Sequence, residues 1–84
     1  MLMSEDYQFV KMIWDFRGPE SARIADHHRI HLDDYIRLEN LQHCHCGTEK
    51  QSEMYHIAYM VVPKEQVPTL RSQLKPHRGQ IYQG

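Results

Sequence analysis

The chain has 84 residues, of which 40% are hydrophobic and 25% charged, and its net charge at pH 7 is -1 with neutral histidines. These values are typical of a globular chain close to the size at which one core is just sufficient, so we expect a single domain over residues 1–84. The charge balance excludes a nucleic-acid footprint, and no apolar run reaches the ~18 residues of a membrane span. The first residues lack the basic and apolar regions of a signal peptide, which predicts a cytoplasmic protein.

The first predicted element is a strand over residues 7–16, which are rich in aromatic and β-branched side chains. Apolar residues occupy both alternating sets of positions, so both faces of this strand are expected to be covered. Arg17, Gly18 and Pro19 then end the strand. Pro19 fits the first position of a helix, where the missing N–H costs nothing.

A long helix is predicted over residues 19–41. At about 100° per residue, one side of it forms an apolar stripe. The members of this stripe are Ile24, Ala25, His28, Leu32, Tyr35 and Ile36. The same geometry places His28 in the core, His31 at the border of the stripe and His27 toward solvent or a partner.

Histidine and cysteine alternate in residues 42–47, which we interpret as a strand. Alternation would place His43 and His45 on one face and the two thiols on the other. The cysteines are expected to be free, because a bridge across one intervening residue would be strained and the cytoplasm is reducing. Residues 48–53 are polar and predict a loop.

The second half of the chain predicts three more elements. Residues 55–62 form the second strongly apolar strand. A second helix is predicted over residues 64–75, with Pro68 in or near its first turn. Residues 76–79 break this helix, and residues 80–82 can form only a short terminal strand.

The order of elements is therefore β-α-β-β-α-β, which is typical of an α+β, ferredoxin-like βαββαβ sandwich with an antiparallel sheet and two helices on one face. Two strands are apolar on both faces, yet the helices cover only one face. We therefore expect a second subunit to cover the other face, giving a homodimer and a dimeric α+β barrel.

Residues 31–38, with the sequence His-Leu-Asp-Asp-Tyr-Ile-Arg-Leu, and the following strand ending in Gly47 resemble the helix-to-strand region of YciI-like proteins. The resemblance covers about a quarter of the chain. It implies a small dimeric α+β barrel, in which a helix histidine and an acidic residue just beyond the helix line a catalytic pocket. His31 matches that histidine. In place of the acid, this chain has Gln42, His43 and His45.

The function predicted from these features is the binding of a small molecule in a pocket between the long helix and the sheet. His31 would be the acid or base if the protein is an enzyme, a question that the sequence leaves open. Arg17, together with the first amides of the helix, could hold a carboxylate or phosphate. The residues predicted to contribute to binding are Trp14, Arg17, His27, Tyr35, His43 and His45. A second basic turn, residues 77–79, is expected at the other end of the domain.

Two alternatives remain open at the level of sequence. One is a non-catalytic homodimeric interaction module that uses an aromatic sheet face. The other is a histidine-based metal-binding protein, because His27 and His31 are four residues apart on a helix and can face one ion. Alternation turns His43 and His45 away from the thiols, so these four residues are not expected to close around one ion. The main prediction therefore includes neither a metal nor a cofactor.

Overall fold

The computed structural model describes residues 8–82. Its elements in chain order are β1 (Phe9–Arg17), α1 (Ser21–Leu38), β2 (His45–Ser52), β3 (Tyr55–Pro63), a 3-10 turn (Lys64–Gln66), α2 (Val67–Leu74) and β4 (Arg78–Tyr82). Tyr7, predicted as the first residue of a strand, lies outside the described residues. Within residues 8–82, no helix is long and apolar enough to cross a membrane.

The four strands form one sheet in the order β2-β3-β1-β4, and each neighbouring pair is antiparallel. The predicted α+β class, with an antiparallel sheet and two helices, is confirmed. β1 and β3 occupy the two central positions of the sheet, which explains why they are the most apolar strands. Their register aligns Met12 with Met60 and Ile13 with Tyr59, so alternate residues face opposite sides of the sheet.

Both helices cover the same face of the sheet. The core on this face combines residues of β1 and β3 with one residue from each helix: Met12, Trp14, Leu32, Met60, Val62 and Leu70. Each of these side chains is at most 3% exposed. Burial of a side chain of this kind contributes roughly 1.5–3 kcal/mol, so this layer supplies much of the driving force for folding.

The opposite side of the sheet, here called the open face, is also apolar at its centre. Ile13, Ile57 and Val61 point to this side and are only 1–3% exposed in the single chain. Beside them, the ammonium group of Lys11 lies 4.5 Å from the centroid of the Tyr59 ring. The open face therefore combines a small apolar centre with long polar side chains.

The start of α1 differs from the prediction, because the helix begins at Ser21 rather than Pro19. Gly18 has a φ of 113°, a conformation that suits glycine and reverses the chain direction after β1. The Ser21 N–H donates to the Gly18 carbonyl at 3.1 Å. Pro19 consequently lies in the turn before the helix.

The end of α1 also comes earlier than predicted, at Leu38 rather than residue 41. Asn40 takes a left-handed conformation with a φ of 53°. Its backbone N–H donates to the Arg37 carbonyl, and the Leu41 N–H donates to the Ile36 carbonyl at 3.0 Å. This is a Schellman motif, in which the Leu41 side chain packs back on the core.

The buried stripe of α1 is rotated relative to the predicted one. Ser21, Ala25 and Leu32 are buried, whereas Ile24 is 41% exposed, so its assignment to the core was wrong. His28, predicted in the core, is half-buried. The three buried positions are four and then seven residues apart, so they lie on one side of the helix. The small side chain of Ser21 allows the start of α1 to lie close to the sheet.

The prediction for the second strand was wrong in its bounds. The strand is His45–Ser52, and it includes most of the segment predicted as a polar loop. His43 has a φ of 63° and precedes the strand. Since β2 is an edge strand, its polar side chains can remain in water while its backbone pairs with β3.

The second helix confirms the position of Pro68, which lies in the first turn of α2. Its first residues, Lys64–Gln66, form a 3-10 turn instead of α-helix. The helix ends at Leu74, one residue before the predicted end, and its C-cap Lys75 has a left-handed φ of 52°. The chain then enters β4 two residues earlier than predicted, at Arg78.

Candidate functional site

Two basic segments that the sequence placed at opposite ends of the domain lie at the same end. Since β1 is antiparallel to both β3 and β4, its last residues lie beside the first residues of those strands. Arg17 is paired with Tyr55, and Ile13 with Arg78. The expected separation of Arg17 from the turn at residues 77–79 was therefore wrong.

Five side chains at this end of the sheet form what we call the terminal cluster: Asp15, Arg17, Tyr55, His77 and Arg78. Asp15 is at its centre. Arg78 donates Nε–H to Oδ2 and Nη2–H to Oδ1, each at 3.0 Å. The Tyr55 hydroxyl also donates to Oδ1, at 2.5 Å. The carboxylate is thus held by a bidentate arginine and a phenol.

These contacts fix the charge state of Asp15. The hydrogen bond from Arg78 is the largest cause that lowers the pKa of Asp15 to about 2, and the Tyr55 hydrogen bond adds to it. The same pairing raises the pKa of Arg78. Both groups are therefore ionised at neutral pH, and Arg78 is held in one orientation.

Arg17 occupies a different position in the cluster. Its guanidinium carbon lies 3.8 Å from the centroid of the Tyr55 ring, so the group stacks on the phenol. Arg17 is exposed, and no carboxylate of residues 8–82 forms an ion pair with it. Stacking leaves the N–H groups at the edge of the guanidinium free to donate.

His77 adds a further ring N–H donor. Its Nδ1 accepts the Asp15 backbone N–H at 2.8 Å, so in the neutral ring we assign the proton to Nε2. The side chain is 51% exposed. Two guanidinium groups against one carboxylate leave the cluster one net positive charge. Chemically, it is a donor-rich surface suited to an anion.

On the helix-covered side of the same end, aromatic rings surround His28. The imidazole lies 4.8 Å from the Trp14 ring and 5.6 Å from the Phe16 ring, measured between centroids. Its Nε2 is buried and has no hydrogen-bond partner within the described part of the chain. Burial lowers the pKa of His28, and the nearby His31 and His77 lower it further. His28 is thus a neutral residue of the fold.

A serine–histidine pair lies close by, and the sequence did not reveal it. Ser21 Oγ and His56 Nδ1 are 2.8 Å apart. Ser21 has no exposed surface, so a substrate cannot reach its hydroxyl in this conformation. The contact with His56 therefore gives the buried Ser21 hydroxyl a hydrogen-bond partner. A serine at the start of α1 carried no signal that it would face a histidine 35 residues later in the chain.

The residues predicted to form a pocket occupy different environments. His31 is exposed, and so is His27. Trp14 is buried and donates its indole N–H to the Leu74 carbonyl at 3.2 Å. Tyr35 is half-buried and packs against the core. The His31 imidazole therefore lies outside the layer to which Trp14 and Tyr35 belong.

The other two histidines predicted to contribute to binding lie outside α1, in the loop before β2 and at its first residue. His43 is exposed in the loop before β2. His45 begins β2 and meets the Tyr82 ring at 6.0 Å in an edge-on arrangement. Among residues 8–82, no group of three or more histidine, cysteine or acidic side chains is placed to hold a metal.

Both cysteines are free, as expected. The Cys46 thiol donates to Asp33 Oδ1 at 2.9 Å, and burial raises its pKa to about 12. Burial also raises the pKa of Cys44. The thiols are therefore protonated at neutral pH, which is unfavourable for nucleophilic catalysis.

Comparison with known proteins adds no assignment: no family model, no curated protein and no solved structure matches this chain.

Proposed function

We propose that the protein binds a small anionic molecule, a carboxylate or a phosphate, at the terminal cluster. The observation that carries this proposal is the position of Arg17. It is an exposed guanidinium, stacked on Tyr55 and without a carboxylate partner in residues 8–82. A planar guanidinium with a free edge recognises carboxylate and phosphate oxygens in a bidentate manner.

The rest of the cluster supports this role. Asp15 orients Arg78 through two hydrogen bonds of 3.0 Å, and the same carboxylate accepts from the Tyr55 ring that supports Arg17. One carboxylate thus orders groups on three strands. An anion bound there would meet donors that are already in place, which lowers the entropic cost of binding.

This proposal keeps the predicted ligand class and the predicted role of Arg17, but it moves the centre of the site. The sequence placed the site near His31, whereas the ordered donors lie at the ends of β1, β3 and β4.

The resemblance to YciI-like proteins stays a prediction. A ferredoxin-like fold is also part of the proposal, and the strand order β2-β3-β1-β4 supports it.

The test is a titration with inorganic phosphate, and separately with acetate, followed by the chemical shifts of backbone amides. We expect the largest shifts at residues of the terminal cluster. Arg17→Gln should weaken binding by about tenfold or more, because a hydrogen bond to a charged group contributes roughly 1.5–3 kcal/mol. The charge-matched control is Arg71→Gln, an exposed arginine on α2. Equal affinities of the two variants would contradict the proposal.

A second candidate function is homodimerisation through the open face. The charges on this face are largely paired within it: Lys11 with Glu49 at 2.9 Å, and Asp15 with Arg78 at 3.0 Å. A second copy could therefore cover the face without burying unpaired charges, which would be costly. Arg17, at the end of the face, would stay at the rim of such an interface and remain open to an anion.

A further inference from the structure

We infer that His27 and His31 form a binding site for one divalent transition-metal ion on the exposed side of α1. This site is distinct from the terminal cluster. The proposed anion site consists of strand residues and arginines, whereas this pair lies on a single helix and consists only of imidazoles. Success or failure of either proposal leaves the other unaffected.

The geometry of the pair supports chelation. The two residues are four positions apart in α1, so their side chains lie one above the other on the same face. Their ring centroids are 5.2 Å apart and the rings are tilted by 41°. Both side chains are exposed, and neither has a hydrogen-bond partner among residues 8–82. Rotation of the two rings can thus bring one nitrogen of each to a shared ion.

The donor set defines the class of ion. Two neutral imidazoles suit Ni²⁺, Cu²⁺ and Zn²⁺, and disfavour the hard cations Mg²⁺ and Ca²⁺, which prefer oxygen ligands. Within the described part of the chain, no third histidine, cysteine or acid completes the set. The remaining coordination positions would be filled by water, which makes the site open and reversible.

Other donors in the chain are less suitable. The thiols of Cys44 and Cys46 are held protonated by burial, and a thiol must lose its proton to bind a metal. His28 is half-buried against Trp14 and Phe16. His43 and His45 are exposed, but they flank the start of a strand rather than share a helix face.

The test is a titration of the full chain with Ni²⁺ at neutral pH, followed by calorimetry and by paramagnetic broadening of the imidazole resonances. We expect one ion per chain and the earliest broadening at His27 and His31. His27→Gln and His31→Gln should each weaken binding by about tenfold or more, because each leaves a single ligand and loses the benefit of linked ligands.

The matched control is the double variant His43→Gln/His45→Gln, which also removes two exposed histidines. It should bind Ni²⁺ as the unmodified chain does. Circular dichroism of each variant establishes that α1 is intact. The inference is overturned if His27→Gln/His31→Gln binds Ni²⁺ as tightly as the unmodified chain, or if both double variants weaken binding equally.

Discussion

His28 is the residue whose chemistry fits its surroundings least well. Its ring packs between Trp14 and Phe16, yet its Nε2 is buried without a hydrogen-bond partner in the described chain. The titratable groups that act on it are His31, from the same helix, and His77, from the turn before β4, and both lower its pKa. The fold therefore favours the neutral ring over the protonated one.

This makes stability depend on pH in a defined direction. The pKa of His28 in the folded chain lies below its ordinary value of 6.5, so the unfolded chain takes up a proton first as the pH falls. The free energy of unfolding should then decrease as the pH falls from about 6.5 through the folded-state pKa. His28→Leu should reduce this decrease and raise stability at pH 7 by about 1 kcal/mol, because it removes an unpaired buried nitrogen.

Urea unfolding at about pH 7 and about pH 5 measures the effect. His27→Leu is the control, because His27 lies exposed on the same helix. It should keep the pH dependence of the unmodified chain. If the two variants lose stability equally between these pH values, His28 is not the group responsible.

At the scale of elements, the contact between β2 and β3 contains a further constraint. A Cβ atom added at Gly47 would lie 2.6 Å from the Tyr59 hydroxyl oxygen and 2.9 Å from Cζ. Gly47→Ala therefore requires Tyr59 to move from its place beside Lys11. We expect the free energy of unfolding to fall by about 1–2 kcal/mol, as in other overpacked sites.

A double-mutant cycle tests this explanation. In a Tyr59→Ala background the same Gly47→Ala change should cost much less, since the colliding ring is absent. Chemical denaturation of the four proteins gives the coupling energy. An equal cost in both backgrounds would show that the strand backbone, rather than Tyr59, requires glycine.

The elements that the sequence predicted well are those with strong local patterns. β1 and β3 are rich in apolar and aromatic residues, and Pro68 marked the first turn of α2. The edge strand β2 was misplaced because its residues are polar and lack the apolar alternation of a half-buried strand, although its pairing with β3 is a hairpin that is local in sequence. The terminal cluster was missed for a different reason: Asp15 and Arg78 are 63 residues apart, and only the antiparallel sheet brings them together. A single arginine beside a turn gave no sign of its partners.

At the scale of the whole molecule, the open face is the surface through which we propose that two copies associate. Ile13, Ile57 and Val61 are already covered in the single chain, so burial of their surface contributes little to association. What a second copy would cover are the half-buried aromatic rings beside them, among them Tyr59. In a symmetric dimer each interface residue occurs twice, once in each copy. A charge introduced on this face would therefore be present on both sides of the interface.

Tyr59→Glu should therefore weaken the proposed dimer by at least about tenfold, because like charges would meet in the interface. Ile30→Glu is the control: it places the same charge on an exposed apolar residue of α1, which points away from the sheet. Light scattering over a range of micromolar concentrations measures the mass of each protein, and circular dichroism establishes its fold. A monomeric unmodified chain at these concentrations would rule out the dimer. Equal weakening by both variants would instead place the interface elsewhere than the open face.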